Sequence, residues 1–137
     1  MPYTLIDHTA DFGIHVLGAD PKELFTDAAI ALFDRIIDRN TLTGALQEDL
    51  DITGIDWPDL MVCWLRELLY LWNGKQILIK SIDIETLSEK HLCAKATGDA
   101  YNSEEHAILM EIKAVTYHQI HVARRRLGWE AKIIFDV

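Results

Sequence analysis

Tyr3-Thr4-Leu5-Ile6-Asp7-His8-Thr9-Ala10-Asp11-Phe12-Gly13-Ile14-His15-Val16-Leu17 is two strand-forming runs around a polar centre. Tyr3 to Ile6 are β-formers, and Ile14, Val16 and Leu17 resume the pattern after the interruption. Asp7, His8 and Asp11 place two carboxylates and an imidazole at the junction, where the main chain is freest to meet a ligand. A second reading is a plain turn, with Asp7 and Thr9 bonding the local backbone and Gly13 supplying an unusual φ. The local pattern leaves both open.

Outward from that stretch, the chain alternates helical and strand periods. Asp20-Pro21-Lys22-Glu23 is a helix start, with Asp20 as N-cap, Pro21 at the first helical position and Glu23 as a capping-box acid. Leu24, Ala28, Leu32 and Ile36, with Phe25, Ala29 and Phe33 beside them, form one apolar stripe that fades at Asp38-Arg39-Asn40. A second helix starts at Asp56-Trp57-Pro58-Asp59. Leu60, Trp64, Leu68 and Leu71 form its stripe, Met61, Leu65 and Trp72 widen it, and Asn73-Gly74 stops it. Arg66, Glu67 and Tyr70 are left for solvent.

The remainder has strand periodicity. Strands are expected over 46–52 and 76–87, over 91–97 with a turn at Glu89-Lys90, and over a long segment, 107–117. A last pair, 121–123 and 129–135, folds around Arg124 to Gly128. Gly98 is placed to start a bulge. Two helices against one largely antiparallel sheet is the economical arrangement, an α+β fold in a single domain over residues 1–137.

Composition limits the function. The net charge is −9, and the short Arg124-Arg125-Arg126 run does not offset it, so direct binding of nucleic acid is not expected. A basic protein surface or metal cations are better partners. Cys63 and Cys93 lie in apolar periodic segments without zinc-type spacing, which predicts two buried free thiols and a reducing compartment. Leu60 to Trp72 is too short to span a bilayer, and no basic-then-apolar leader opens the chain, so a cytoplasmic location without membrane attachment is expected.

The chemistry-bearing residues sit near the two ends. Asp136 stands beside the Val137 carboxylate, and if the last strand ran next to the first ones it would meet Asp11. Oxygen-only ligation by Asp11, Asp136 and Val137 suits a hard cation such as Ca²⁺ or Mg²⁺; a solvated acid at a frayed end is the alternative. Lys113 interrupts an apolar strand, as an outward residue or as a cation for phosphate. His8, His106 and His118 are available as donors or acid–base groups, or as ordinary hydrogen-bonding residues. No catalytic triad, nucleophile elbow or phosphate loop is present, and Gly13 and Gly18 are not spaced for a dinucleotide.

Several of these stretches together resemble the archease family: Asp7 to Ile14, Ala31 to Asp34, Trp64 to Tyr70, Glu111 to His118 and Ile134 to Val137. Arg66 departs from the resemblance, since the family commonly has Asn there, at a helix position expected not to touch the site. The resemblance implies an accessory protein of an RtcB-type RNA ligase. Such a protein promotes formation of the ligase's histidine–GMP intermediate and multiple turnover in tRNA splicing or RNA repair, without independent catalysis. It implies a divalent metal, Ca²⁺, Mg²⁺ or Mn²⁺, held by Asp11, Asp136 and Val137, and accessory roles for Lys113, His8 and His118. Two rival readings are a stand-alone metal-dependent phosphoester hydrolase and a chaperone-like interaction module.

Overall fold

Period-two alternation builds the sheets and two capped apolar stripes build the helices. The computed structural model describes residues 3–7 and 11–137, except for the side chains of Ile6 and Asp7. β1 (Tyr3–Asp7) and β2 (Asp11–Gly18) pair antiparallel, from Tyr3 opposite Val16 to Asp7 opposite Phe12. α1 (Pro21–Ile36) follows, with Asp20 Oδ1 accepting from the Glu23 amide at 2.8 Å. Its expected stripe is buried, from Leu24 and Phe25 to Phe33 and Ile36. A 3₁₀ turn over Arg39–Thr41 leads to β3 (Leu46–Thr53).

α2 (Trp57–Asn73) is capped in the same way, Asp56 Oδ1 accepting from the Asp59 amide at 2.9 Å. Leu60, Met61, Trp64, Leu65, Leu68 and Leu71 are buried, and Arg66, Glu67 and Tyr70 face out. Trp64 Nε1 donates to the Phe25 carbonyl at 3.0 Å and ties α2 to α1. β4 (Ile77–Leu87), β5 (His91–Ala100), β6 (Ala114–Val115), β7 (His121–Arg125) and β8 (Gly128–Asp136) complete the chain.

The α+β class holds, but the strands form two antiparallel sheets where one was expected. One runs β1-β2-β8-β6, with β7 also on β8; the other runs β3-β5-β4. β6 and β7 share one edge of β8 end to end, β6 opposite residues 135–136 and β7 opposite 128–132. Both helices touch both sheets: α1 lies on β2 and β4, and α2 on β3, β4, β6 and β7. A single sheet would leave one side of each helix uncovered. Stripes as wide as these need apolar neighbours on two sides.

Three other expectations are corrected. The segment 107–117 is strand only at Ala114–Val115. Its main-chain groups are taken elsewhere: the Leu109 amide bonds the Ile36 carbonyl at the end of α1, and Asn73 Nδ2 bonds the Ile112 carbonyl. Ile108, Met110 and Ile112 nevertheless turn inward in alternation with outward Leu109, Glu111 and Lys113. The cysteines are free but only half-buried. Gly13 is an ordinary residue of β2, and the positive-φ glycines are Gly44 and Gly128. Gly98 does face a bulge, since β4 carries Lys80 as an extra residue between Ile79 and Ser81.

Candidate functional site

Asp11 opens β2 and Asp136 closes β8, and the antiparallel register sets them directly opposite one another. Register is fixed here by the core face. Phe12, the next residue, is buried and stacks on Phe135 with ring centroids 5.8 Å apart. A slip of β2 by one residue would turn Asp11 towards the core and Phe12 towards solvent. Directly opposed residues on antiparallel strands have Cβ atoms about 4.5–5.5 Å apart, and like charges there destabilise the pair. Two carboxylates in this position are a suitable cradle for a hard cation, because their donors are oxygen alone.

The other edge of β8 is also occupied. Ala114 of β6 lies opposite Asp136, and the Lys113 amide donates to the Asp136 carbonyl at 2.8 Å. Asp136 is therefore held on both sides and is not a frayed end. Asp11 is half-buried, and Asp136 and Val137 are exposed. The ends of the chain do come together, as the sequence reading required.

Lys113 joins this group by its main chain. Its side chain lines a hollow of about 330 Å³ between α2 and β6, with Arg66, Leu69, Tyr70, Asn73, Ala114 and Val115. Arg66 is closer to this region than expected. Its Nε donates to the Val115 carbonyl at 3.0 Å and its guanidinium lies 4.7 Å from the Tyr117 ring centre. Tyr117 in turn donates to Asp59 Oδ1 at 2.6 Å. That bond pushes the phenol up to about 12 and holds the Asp59 carboxyl below its usual range.

His118 is exposed in the β6–β7 connection, where its amide donates to Thr116 Oγ1 at 3.2 Å. His106 is buried, and its Nδ1 accepts from the Asn102 amide at 2.9 Å, a structural role. His8 and Thr9 lie outside the described residues.

Sequence reasoning missed two clusters. Glu130 on β8 contacts His15 Nε2 at 3.0 Å and His121 Nε2 at 3.2 Å. The His15 bond, aided by the His121 bond and opposed by burial, holds the Glu130 carboxyl low. Asp51, His91 and Cys93 converge on the outward face of the second sheet. Only the i, i+2 spacing of His91 and Cys93 was visible beforehand, and it puts two residues on one face of a strand.

No helix among the described residues is long and apolar enough to cross a membrane. The archease protein family model (MTH1598/TM1083) matches residues 3–137. A protein archease of Methanosarcina mazei is 34% identical over 139 residues, covering 98% of this chain and 95% of its own. One of Pyrococcus furiosus is 33% identical over 135 residues, covering 96% and 95%. Among solved structures, protein 1598 of Methanobacterium thermoautotrophicum superposes with a TM-score of 0.82 at 31% identity, covering 98% of each chain. A Thermotoga maritima protein described as an archease and possible chaperone shares the fold, with a TM-score of 0.66 at 20% identity over 96% of this chain and 94% of its own. With a family model spanning residues 3–137 and relatives above 30% identity along nearly the whole chain, the chain belongs to the archease protein family.

Proposed function

We propose that this chain is an accessory protein of an RtcB-type RNA ligase, promoting metal-dependent guanylylation of the ligase histidine and repeated turnover in tRNA splicing or RNA repair. The observation that carries the reading is Asp11 directly opposite Asp136, at the meeting point of the two ends of an archease chain. Asp11 and Asp136, with Val137 beside them, would hold a divalent cation, Ca²⁺, Mg²⁺ or Mn²⁺. Such an ion supplies positive charge to nucleotide phosphates and to a leaving pyrophosphate.

The chain's own residues have simpler tasks. Asp11 and Asp136 bind and orient. Lys113, whose amide bonds the Asp136 carbonyl, would offer its ammonium to phosphate oxygens. The net charge of −9 suits the basic face of an RNA-binding partner and disfavours RNA itself. No nucleophile is required of this chain, and its effect is on the partner's chemistry.

The test is ligation and guanylylation by the cognate ligase, at substoichiometric enzyme, with wild-type chain, Asp11→Ala or Asp136→Ala. Wild type should raise turnover, and either variant, folded by its melting curve, should not. Equal stimulation by the folded variants rejects the acid site, and no stimulation by wild type rejects the accessory role. Hydrolysis of a generic phosphoester without ligase would point to an independent enzyme. Suppression of client aggregation, indifferent to both substitutions, would point to the chaperone reading suggested by the name of the Thermotoga maritima protein.

A further inference from the structure

The outward face of the three-stranded sheet carries a mixed nitrogen, sulfur and oxygen donor set remote in kind from the acid site. Asp51 on β3 lies directly opposite Cys93 on β5. His91, two residues earlier on β5, shares their face. His91 Nε2 is 2.6 Å from Asp51 Oδ1 and 3.6 Å from Cys93 Sγ. The three donor atoms all lie within 4.8 Å of one another. One ring nitrogen thus faces two partners, yet it carries either one proton or one lone pair. A cation at the point of convergence would serve all three groups.

We propose that Asp51, His91 and Cys93 form a binding site for a borderline divalent transition metal, with Zn²⁺ the best fit and a water in the fourth position. Zinc takes Cys sulfur at about 2.3 Å and His nitrogen at about 2.0–2.1 Å, so tetrahedral ligation sets the two atoms about 3.5–3.6 Å apart. The observed 3.6 Å between Sγ and Nε2 already meets that spacing. The same geometry needs about 3.3 Å between nitrogen and carboxylate oxygen, so Asp51 must withdraw by about 0.7 Å. Its side chain is 73% exposed, so little packing opposes the shift.

Hard ions do not suit this set, because thiolate and imidazole select zinc-like metals over Ca²⁺ or Mg²⁺. Binding breaks the Cys93 S–H bond as the sulfur–metal bond forms, and the proton leaves to solvent. The His91 ring proton then resides on Nδ1. Three protein ligands and one open position match exchangeable or reactive zinc more closely than closed structural sites. The ion would also clip β3, at the sheet edge, to β5 at its centre.

Titration of Co²⁺ into the full chain, kept reduced with a phosphine, tests this directly. A thiolate-to-cobalt charge-transfer band should saturate at one equivalent and disappear when Zn²⁺ is added. Cys93→Ser should abolish the band, and His91→Gln should weaken binding by about tenfold or more, since even outer-sphere changes cost that much. Cys63→Ser and the double variant Asp11→Asn/Asp136→Asn should keep it, which separates this site from the proposed accessory function. No band at one equivalent, a band surviving Cys93→Ser, or a band lost in Cys63→Ser would overturn the assignment.

Discussion

At Gly98 any side chain would run into the Leu78 carbonyl of the neighbouring strand, main chain against main chain. Gly98→Ala must push β4 and β5 apart where β4 already bulges, so a loss on the order of 2–3 kcal/mol is expected from a denaturant melt. Asp99, the next residue, accepts from the Thr43 amide at 2.8 Å, the Gly44 amide at 2.6 Å and the Thr43 hydroxyl at 3.0 Å. Burial pushes its carboxyl up, but these bonds outweigh burial and hold it below its ordinary range. A carboxyl held low in the folded state adds stability that is fully present above its unfolded value, near 3.8, and is lost as pH falls through the folded value. Asp99→Asn should therefore cost about 1–2 kcal/mol at neutral pH, and the gap to wild type should close in acid. Melting both proteins across that range checks the sign. Local chemistry of this kind is partly legible in sequence. Asp20 and Asp56 were readable as caps because a cap depends on three or four neighbouring residues. Gly13 was misread because a backbone angle inside a strand is set by the partner strands.

Trp64 is the clearest coupling between elements. Its indole is fully buried and donates to the Phe25 carbonyl, so it fixes the distance between α2 and α1. Trp64→Phe removes the bond and leaves a small void, and should destabilise by about 2 kcal/mol in a denaturant melt. No measurable loss would mean the helices are positioned by the sheets alone. Among the described residues, both helices, seven of the eight strands and the two hairpins on β5 and β8 were legible, because each follows from periodicity within one segment. The segment 107–113 shows the limit. Its alternation of inward and outward residues is real, but the partners of its main-chain groups, Ile36 and Asn73, are more than thirty residues away in sequence. For the same reason the division into two sheets was hidden, as was the meeting of Asp51 with His91 and Cys93.

The whole molecule is an acidic body whose two ends are stitched together at Asp11 and Asp136. The acids were visible in the sequence, and so was the condition for their meeting, but only the pairing of β2 with β8 satisfies it. If the proposed partner is met through charge, raising salt from 0.15 M to 1 M shortens the screening length from about 8 Å to about 3 Å. The concentration of chain needed for half-maximal ligase stimulation should then rise severalfold, and a salt-independent value would favour an apolar interface. The central claim is that the two opposed carboxylates hold one hard cation between them. Calorimetric titration of Ca²⁺ into wild type and into Asp11→Asn and Asp136→Asn is its most direct measurement. The account predicts one site in wild type that either substitution removes while the melting curve stays cooperative; Ca²⁺ binding of equal affinity in all three proteins would contradict it.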